Sequence, residues 1–261
     1  MANLHWQSDF YAETRPTYPD ALFEFIASKT PNRHFAWDAG CGTGQAATAL
    51  ARIYENVVGT DTNEQQLSRA TKLPNVRYGR TSAAMSIPEL EQAVGPRASA
   101  DLVTVAQAFH WFDPPSFYEH VNWVLRKPHG VVAVWCYTSP VVDDAVGAVF
   151  QRLYEVHTKP FWAPERQIVD DRYTTFDFPF DPVEGEDHTG PFEFEAATRM
   201  NLEKFLTYIR SWSAYETAKE KGVELLNGEL VEDFRRAWGG DGGEFKVVKF
   251  PVYLRIGRVR D

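Results

Sequence analysis

Residues 35–50 read Phe35-Ala36-Trp37-Asp38-Ala39-Gly40-Cys41-Gly42-Thr43-Gly44-Gln45-Ala46-Ala47-Thr48-Ala49-Leu50. An apolar run ends at an acid, three glycines follow at alternate positions, and a stretch of helix formers comes next. That order predicts strand, tight turn and helix, the place where α/β proteins hold a nucleotide-like ligand against backbone amides. Glycine serves there because it accepts φ > 0 and lets backbone come close. A plain strand-to-helix turn fits the same letters, so the rest of the chain has to decide.

Further along, strands are expected at 56–61, 76–79, 100–106 and 131–137, with helices at 45–54, 64–71, 87–94 and 117–125 between them. The strand at 100–106 is apolar on both faces from Leu102 on, as a buried parallel strand is. Alternating strands and helices predict an α/β fold, a mostly parallel sheet with helices on both faces. Upstream, residues 9–19 mix two prolines with aromatics and read as an ordered arm, followed by an amphipathic helix at 20–28 capped by Asp20.

After Ser139 the alternation stops. Helices are expected at 144–157, 202–219 and 223–237, and an aromatic-rich insertion at 158–190. Strands at 191–200 and 245–259 close the sheet, with Pro251 marking a bulge or an edge position. The organisation expected is a single domain, 1–261. It comprises an arm (1–34), a ligand-binding core (35–139), an elaboration on the substrate side (140–190 and 201–237) and the closing strands.

The chain has 261 residues, 44% of them hydrophobic, enough for a large buried core. Its net charge of -9 disfavours binding to bulk nucleic acid. Two cysteines, Cys41 and Cys136, read as reduced thiols, and the histidines show no metal-ligand spacing, so no metal is expected. The first residues lack the pattern of a secretory leader, and no run approaches the roughly 18 apolar residues of a membrane span. A cytoplasmic protein that engages no membrane is the expectation.

Two acids at strand ends define the ligand. Asp38 leads the turn, and Asp61, ending the second strand, is placed to accept both hydroxyls of a ribose. The Gly40-x-Gly42-x-Gly44 spacing departs from the dinucleotide pattern G-x-G-x-x-G, and no Gly-Lys-Ser/Thr phosphate loop is present. An acid at the mouth repels pyrophosphate and welcomes an ammonium group. Ribose plus an amino-acid cation, without phosphate, describes S-adenosylmethionine.

Trp37–Gln45 together with Asp61 resembles the first motifs of class I S-adenosylmethionine-dependent methyltransferases. Thr104-Val105-Ala106-Gln107-Ala108-Phe109-His110-Trp111-Phe112-Asp113 extends the likeness. With Arg15-Pro16-Thr17-Tyr18-Pro19 and Arg210-Ser211-Trp212-Ser213, the set resembles the trans-aconitate methyltransferase-like group, including plant embryo-abundant-protein homologues. The resemblance implies a Rossmann-like sheet of seven strands with an antiparallel last strand. It also implies methylation of a small molecule, most simply O-methylation of a carboxylic acid, with S-adenosyl-L-homocysteine as product.

By the same likeness, Asp38, Ala39, Gly40, Gly42 and Gly44 hold the methionine end of the cofactor. Asp61 takes the ribose, with Thr62 beside the adenine; Ser82 and Ala83 follow the third strand; Gln107 lies under the cofactor; Tyr11 and Arg15 close over it. Relatives often carry an acid near position 84, where this chain has alanine. Tyr18, His110, Trp111, Arg210 and Trp212 are the expected acceptor-binding residues. His110 reads either as a general base or as a structural histidine, and Arg15 either as a carboxylate clamp or as an ion-pair partner. A monomer or weak homodimer is expected. A methyltransferase of RNA or protein, and a cofactor-binding protein without activity, are the alternatives.

Overall fold

The computed structural model describes residues 16–260, so Tyr11 and Arg15 lie outside the described residues. Its strands are β1 (Phe35–Ala39), β2 (Asn56–Asp61), β3 (Val76–Arg80), β4 (Leu102–Ala106), β5 (Val131–Tyr137), β6 (Phe192–Met200) and β7 (Lys246–Arg258). They form a seven-stranded sheet in the order β3-β2-β1-β4-β5-β7-β6. β1 pairs in parallel with β2 and β4, β2 with β3, and β4 with β5, while β7 runs antiparallel to β5. The expected α/β architecture, Rossmann-like and mostly parallel with an antiparallel last strand, is what the chain adopts.

Helices α1 (Asp20–Ser28), α2 (Gln45–Leu50), α3 (Glu64–Ser68), α4 (Ile87–Ala93) and α5 (Pro114–Val124) alternate with the first five strands. β5 is buried along its whole length, which its unbroken apolar run requires. Val132, Val134 and Cys136 join a cluster with Val103, Val105 and the α5 residues Val121 and Val124. Trp135 alternates to the opposite face and meets Phe23 of α1 edge-on at 5.9 Å. Helices therefore cover both faces. Each fully buried large side chain contributes roughly 1.5–3 kcal/mol, which fixes β5 as the anchor of the sheet. Asp20 does not cap α1: extended Pro19 precedes the helix, and Asp20 occupies its first turn, where the helix dipole favours a negative charge.

The chain forms two compact units. One holds residues 18–138, 167–194 and 252–260. There the aromatics following α7 (Gln167–Asp170) enter the core: Phe176 lies 4.5 Å from Phe109, and Phe180 meets Tyr118 of α5 at 5.3 Å. Part of the predicted insertion is thus sheet-packing core.

The other unit holds residues 139–166 and 195–251, with α6 (Asp144–Arg152), α8 (Leu202–Arg210), α9 (Ser213–Glu220) and α10 (Gly228–Trp238). Three expectations need correction here. The helix expected at 144–157 ends at Arg152 and widens into a π-helix, Leu153–Thr158, where the Thr158 hydroxyl donates to the Tyr154 carbonyl at 2.7 Å. The helix expected at 202–219 breaks at Trp212, whose extended backbone (ψ 145°) precedes α9. Its indole is buried among Phe150, Tyr154, Trp162 and Tyr208, and that burial outweighs helix continuity. The helix expected from 223 starts at Gly228, because Asn227 caps it through Leu230 N at 2.9 Å.

Pro251 is not at an edge, since β7 lies between β5 and β6, and it sits opposite a bulge in the segment that follows β5. Tyr137 pairs with Val252 and Val141 with Lys249, so four steps on one strand face three on the other.

Candidate active site

The parallel strands β1 to β5 end on one edge of the sheet, and the sequence-predicted residues of the first unit collect there. At the end of β1, Gly40, Gly42 and Gly44 have φ of +67°, +55° and +81°, the left-handed region that favours glycine. The turn is held by its own amides, Cys41 N–H donating to Thr60 O, Gly42 N–H to Asp61 Oδ2 and Gly44 N–H to Cys41 O. The same positions are sterically closed from behind. A Cβ on Gly40 would lie 2.9 Å from Ala108 Cβ, and one on Gly44 would lie 2.3 Å from the Tyr78 hydroxyl. Tyr78 reaches the turn from β3 by crossing Gly59 of β2, where a Cβ would sit 2.8 Å from its ring. One tyrosine therefore accounts for two glycines. Cys41 carries the β1 direction onward through its amide to Thr60 O at 2.9 Å, and its buried thiol is pushed up by desolvation. Cys41 and Cys136 are both free thiols.

Asp38 is fully buried, and burial lifts its carboxyl to about 7 against an ordinary 3.8. Opposing that shift are a hydrogen bond from the Thr104 hydroxyl to Oδ1 at 2.8 Å and weaker support from the Ala47 amide, while the charge of Asp61 adds to it. Oδ2 is equally buried and meets no donor at hydrogen-bond geometry among the described residues. A buried carboxylate oxygen without a partner is costly, and a cationic donor would remove that cost.

Asp61 is half-buried at the end of β2. Its Oδ2 accepts the Gly42 amide at 2.8 Å and its Oδ1 the Asn63 amide at 2.8 Å. Each oxygen keeps a second acceptor site, so two hydroxyls can still be bound. Thr62 is exposed beside it.

Gln107, directly after β4, has φ +55°, an uncommon conformation for a non-glycine residue. Three hydrogen bonds hold it there. Its amide donates to Trp135 O at 2.8 Å, its Nε2 to Tyr137 O at 3.2 Å, and its Oε1 accepts the Tyr137 amide at 2.7 Å. Its side chain extends the β4–β5 pairing by one residue, so it supports the floor of the edge. Tyr18 packs its ring on the same strand, 5.4 Å from Trp135 and 6.4 Å from Tyr137.

His110 lies in a single 3₁₀ turn, Phe109–Trp111, and is buried, its ring 4.7 Å from the Trp111 indole. Trp111 itself is 57% exposed. After β3, Ser82, Ala83 and Ala84 are exposed. In the second unit, Arg210 is exposed in the last turn of α8, whereas Trp212 is 4% exposed and its ring is committed to that unit's aromatic core. Thr104 and Tyr78 escaped the sequence reading. A lone threonine in the apolar β4 run was the signal for the first, and a glycine at the same depth in β2 for the second.

Residues 37–134 match the methyltransferase domain family. A candidate methyltransferase of Dictyostelium discoideum is 33% identical across 96% of this chain and 92% of its own length. A Saccharomyces cerevisiae protein named as an S-adenosylmethionine-dependent methyltransferase is 25% identical across 88% of this chain and 89% of its own length. The solved structure of a candidate type II methyltransferase from Anaeromyxobacter dehalogenans superimposes with a TM-score of 0.80 at 34% identity, covering 95% of this chain and 99% of that one. The chain belongs to the class I S-adenosylmethionine-dependent methyltransferases. S-adenosylmethionine is its methyl donor.

Proposed function

We propose that the protein transfers a methyl group to a small molecule, a carboxylic acid becoming its methyl ester, as the resemblance to the trans-aconitate methyltransferase-like group implies. The observation that carries the cofactor site is the pairing of Asp38 and Asp61 around the glycine turn. Asp38 Oδ2, buried and without a partner among the described residues, suits the ammonium of the amino-acid end. Its carboxylate is assigned to the turn amides that remain once those of Cys41, Gly42 and Gly44 are engaged, and the remaining acceptor sites of Asp61 suit a ribose diol. The residues present fit the cofactor.

Bound there, S-adenosylmethionine supplies a methyl group already activated on sulfonium. The protein's own work is then to place an acceptor oxygen in line and keep water out. A carboxylate acceptor is ionised at neutral pH and calls for no base. His110, buried beyond Gln107, then serves to shape the acceptor side through its ring contact with Trp111. The same resemblance assigns the acceptor carboxylate to Arg210, whose planar guanidinium suits a carboxylate and which is exposed at the end of α8. A net charge of -9 supports a small acceptor over a nucleic acid.

The test is incubation with methyl-labelled cofactor and a panel of mono-, di- and tricarboxylic acids, followed by detection of methyl esters. Ester formation on at least one acid is expected. Label that appears only on added RNA or protein, or on no acid, overturns the acceptor assignment.

A further inference from the structure

The end of β3 carries no acid of its own: residues 81–88 read Thr81-Ser82-Ala83-Ala84-Met85-Ser86-Ile87-Pro88. The first carboxylate after the strand is Glu89, in the first turn of α4. Ser86-Ile87-Pro88-Glu89 has the letters of a capping box, and Ser86 does cap the helix by accepting the Glu89 amide. In such a box the glutamate turns back to the amide of the capping serine. Here it reaches past Ser86. Its Oε1 accepts the Ser82 amide at 2.6 Å and its Oε2 the Ser82 hydroxyl at 2.7 Å. The two bonds hold the carboxylate ionised, below its ordinary range. α4 thus delivers a fixed negative charge to an exposed loop at the β3 end.

That location has a place in the ligand's layout. The strand order at this edge is β3-β2-β1-β4. With the amino-acid end at the β1 turn and the ribose at Asp61 on β2, the base extends toward the next strand out, β3. Adenine carries an exocyclic amine, a donor that needs an acceptor, and each Glu89 oxygen keeps one acceptor site beyond its bond to Ser82.

We propose that Glu89, oriented by its two-bond clamp on Ser82, is the residue that reads the exocyclic amine of the cofactor's adenine. The assignment rests on Asp38 and Asp61 holding S-adenosylmethionine as described above. It makes Glu89 a determinant of cofactor specificity, supplied from a helix and not from the loop that follows β3.

Calorimetry with S-adenosylhomocysteine and its deaminated form, S-inosylhomocysteine, tests it. The second ligand presents a carbonyl where the first presents the amine. Wild type is expected to favour the adenosyl ligand by at least ~10-fold, the scale of one charged hydrogen bond. In Glu89→Ala the preference falls toward one. In Glu89→Gln, whose amide offers a donor, it shifts further toward the inosyl ligand. Ser82→Ala, which keeps the carboxylate and loses one clamp bond, gives an intermediate ratio. A merely structural Glu89 would weaken both ligands alike, so an unchanged ratio in the three variants overturns the proposal. Failure of wild type to bind S-adenosylhomocysteine overturns the cofactor site itself, and that result is separately visible.

Discussion

Asp61 Oδ2 accepts the Gly42 amide hydrogen at 2.8 Å, so the acid that ends β2 is part of the turn that follows β1. Its other oxygen holds the Asn63 amide at the start of the next helix. One carboxylate ties two loops together before it is asked to bind a ribose. Asp61→Ala should weaken S-adenosylhomocysteine binding by about 1.5–3 kcal/mol, the range for hydrogen bonds to a charged group. Asp61→Asn, which keeps one acceptor oxygen, should lose less. An unchanged dissociation constant in the alanine variant would remove Asp61 from the site.

Asp38 makes stability depend on pH in an unusual direction for an acid. The fold keeps its carboxyl protonated up to about 7, whereas the unfolded chain releases that proton near 3.8. Between those values the folded state binds the extra proton, so the contribution is fully present below about 4 and is lost as pH rises through about 7. Melting temperatures across this window should therefore fall more steeply with pH for wild type than for Asp38→Asn. Parallel profiles for the two proteins would contradict the buried-carboxyl account.

The ligand's ammonium reverses that preference, because a neighbouring cation favours the ionised acid. Binding of S-adenosylhomocysteine near pH 6.5 should release a proton, and affinity should rise with pH toward a plateau above about 7. Calorimetry in two buffers of different ionisation enthalpy measures the proton directly. Identical heats in both would place the ammonium elsewhere.

Tyr78 and Gly44 should behave as one unit. Gly44→Ala forces a side chain into φ +81° and against the Tyr78 hydroxyl. The backbone term alone costs roughly 1–2 kcal/mol. Tyr78→Phe removes the hydroxyl and its 3.2 Å bond to Thr71 O, and it opens space beside residue 44. The double variant should be less destabilised than the sum of the singles, a favourable coupling readable from denaturant unfolding. Strict additivity would show that the ring gives way without cost.

His110 distinguishes acceptor chemistries. With a carboxylic acid, His110→Gln should leave kcat within about tenfold of wild type, whereas loss of a general base costs ~10²–10⁴-fold. A loss of the larger size would assign His110 to proton transfer and the acceptor to a hydroxyl or amine.

What was legible in the chain was what neighbouring residues decide. The glycine turn, its leading acid and the acid ending β2 all follow from residues within one strand-turn-helix unit and its successor. The π-turn after Arg152 and the break at Trp212 were not legible, because burial of rings drawn from distant positions overrides helix propensity there. Thr104 joins Asp38 across 66 positions, and no local pattern marks such a pair. The Glu89 clamp was hidden for a different reason. Its letters match an ordinary helix cap, and only geometry reveals that the carboxylate goes elsewhere.

The left-handed backbone at Gly40, Gly42 and Gly44 is braced by Asp61 on one side and Tyr78 on the other, with no ligand needed to shape it. Methyl-donor capture at this turn therefore requires no slow ordering step. Its association rate should be governed by encounter, and turnover by how quickly the spent donor leaves.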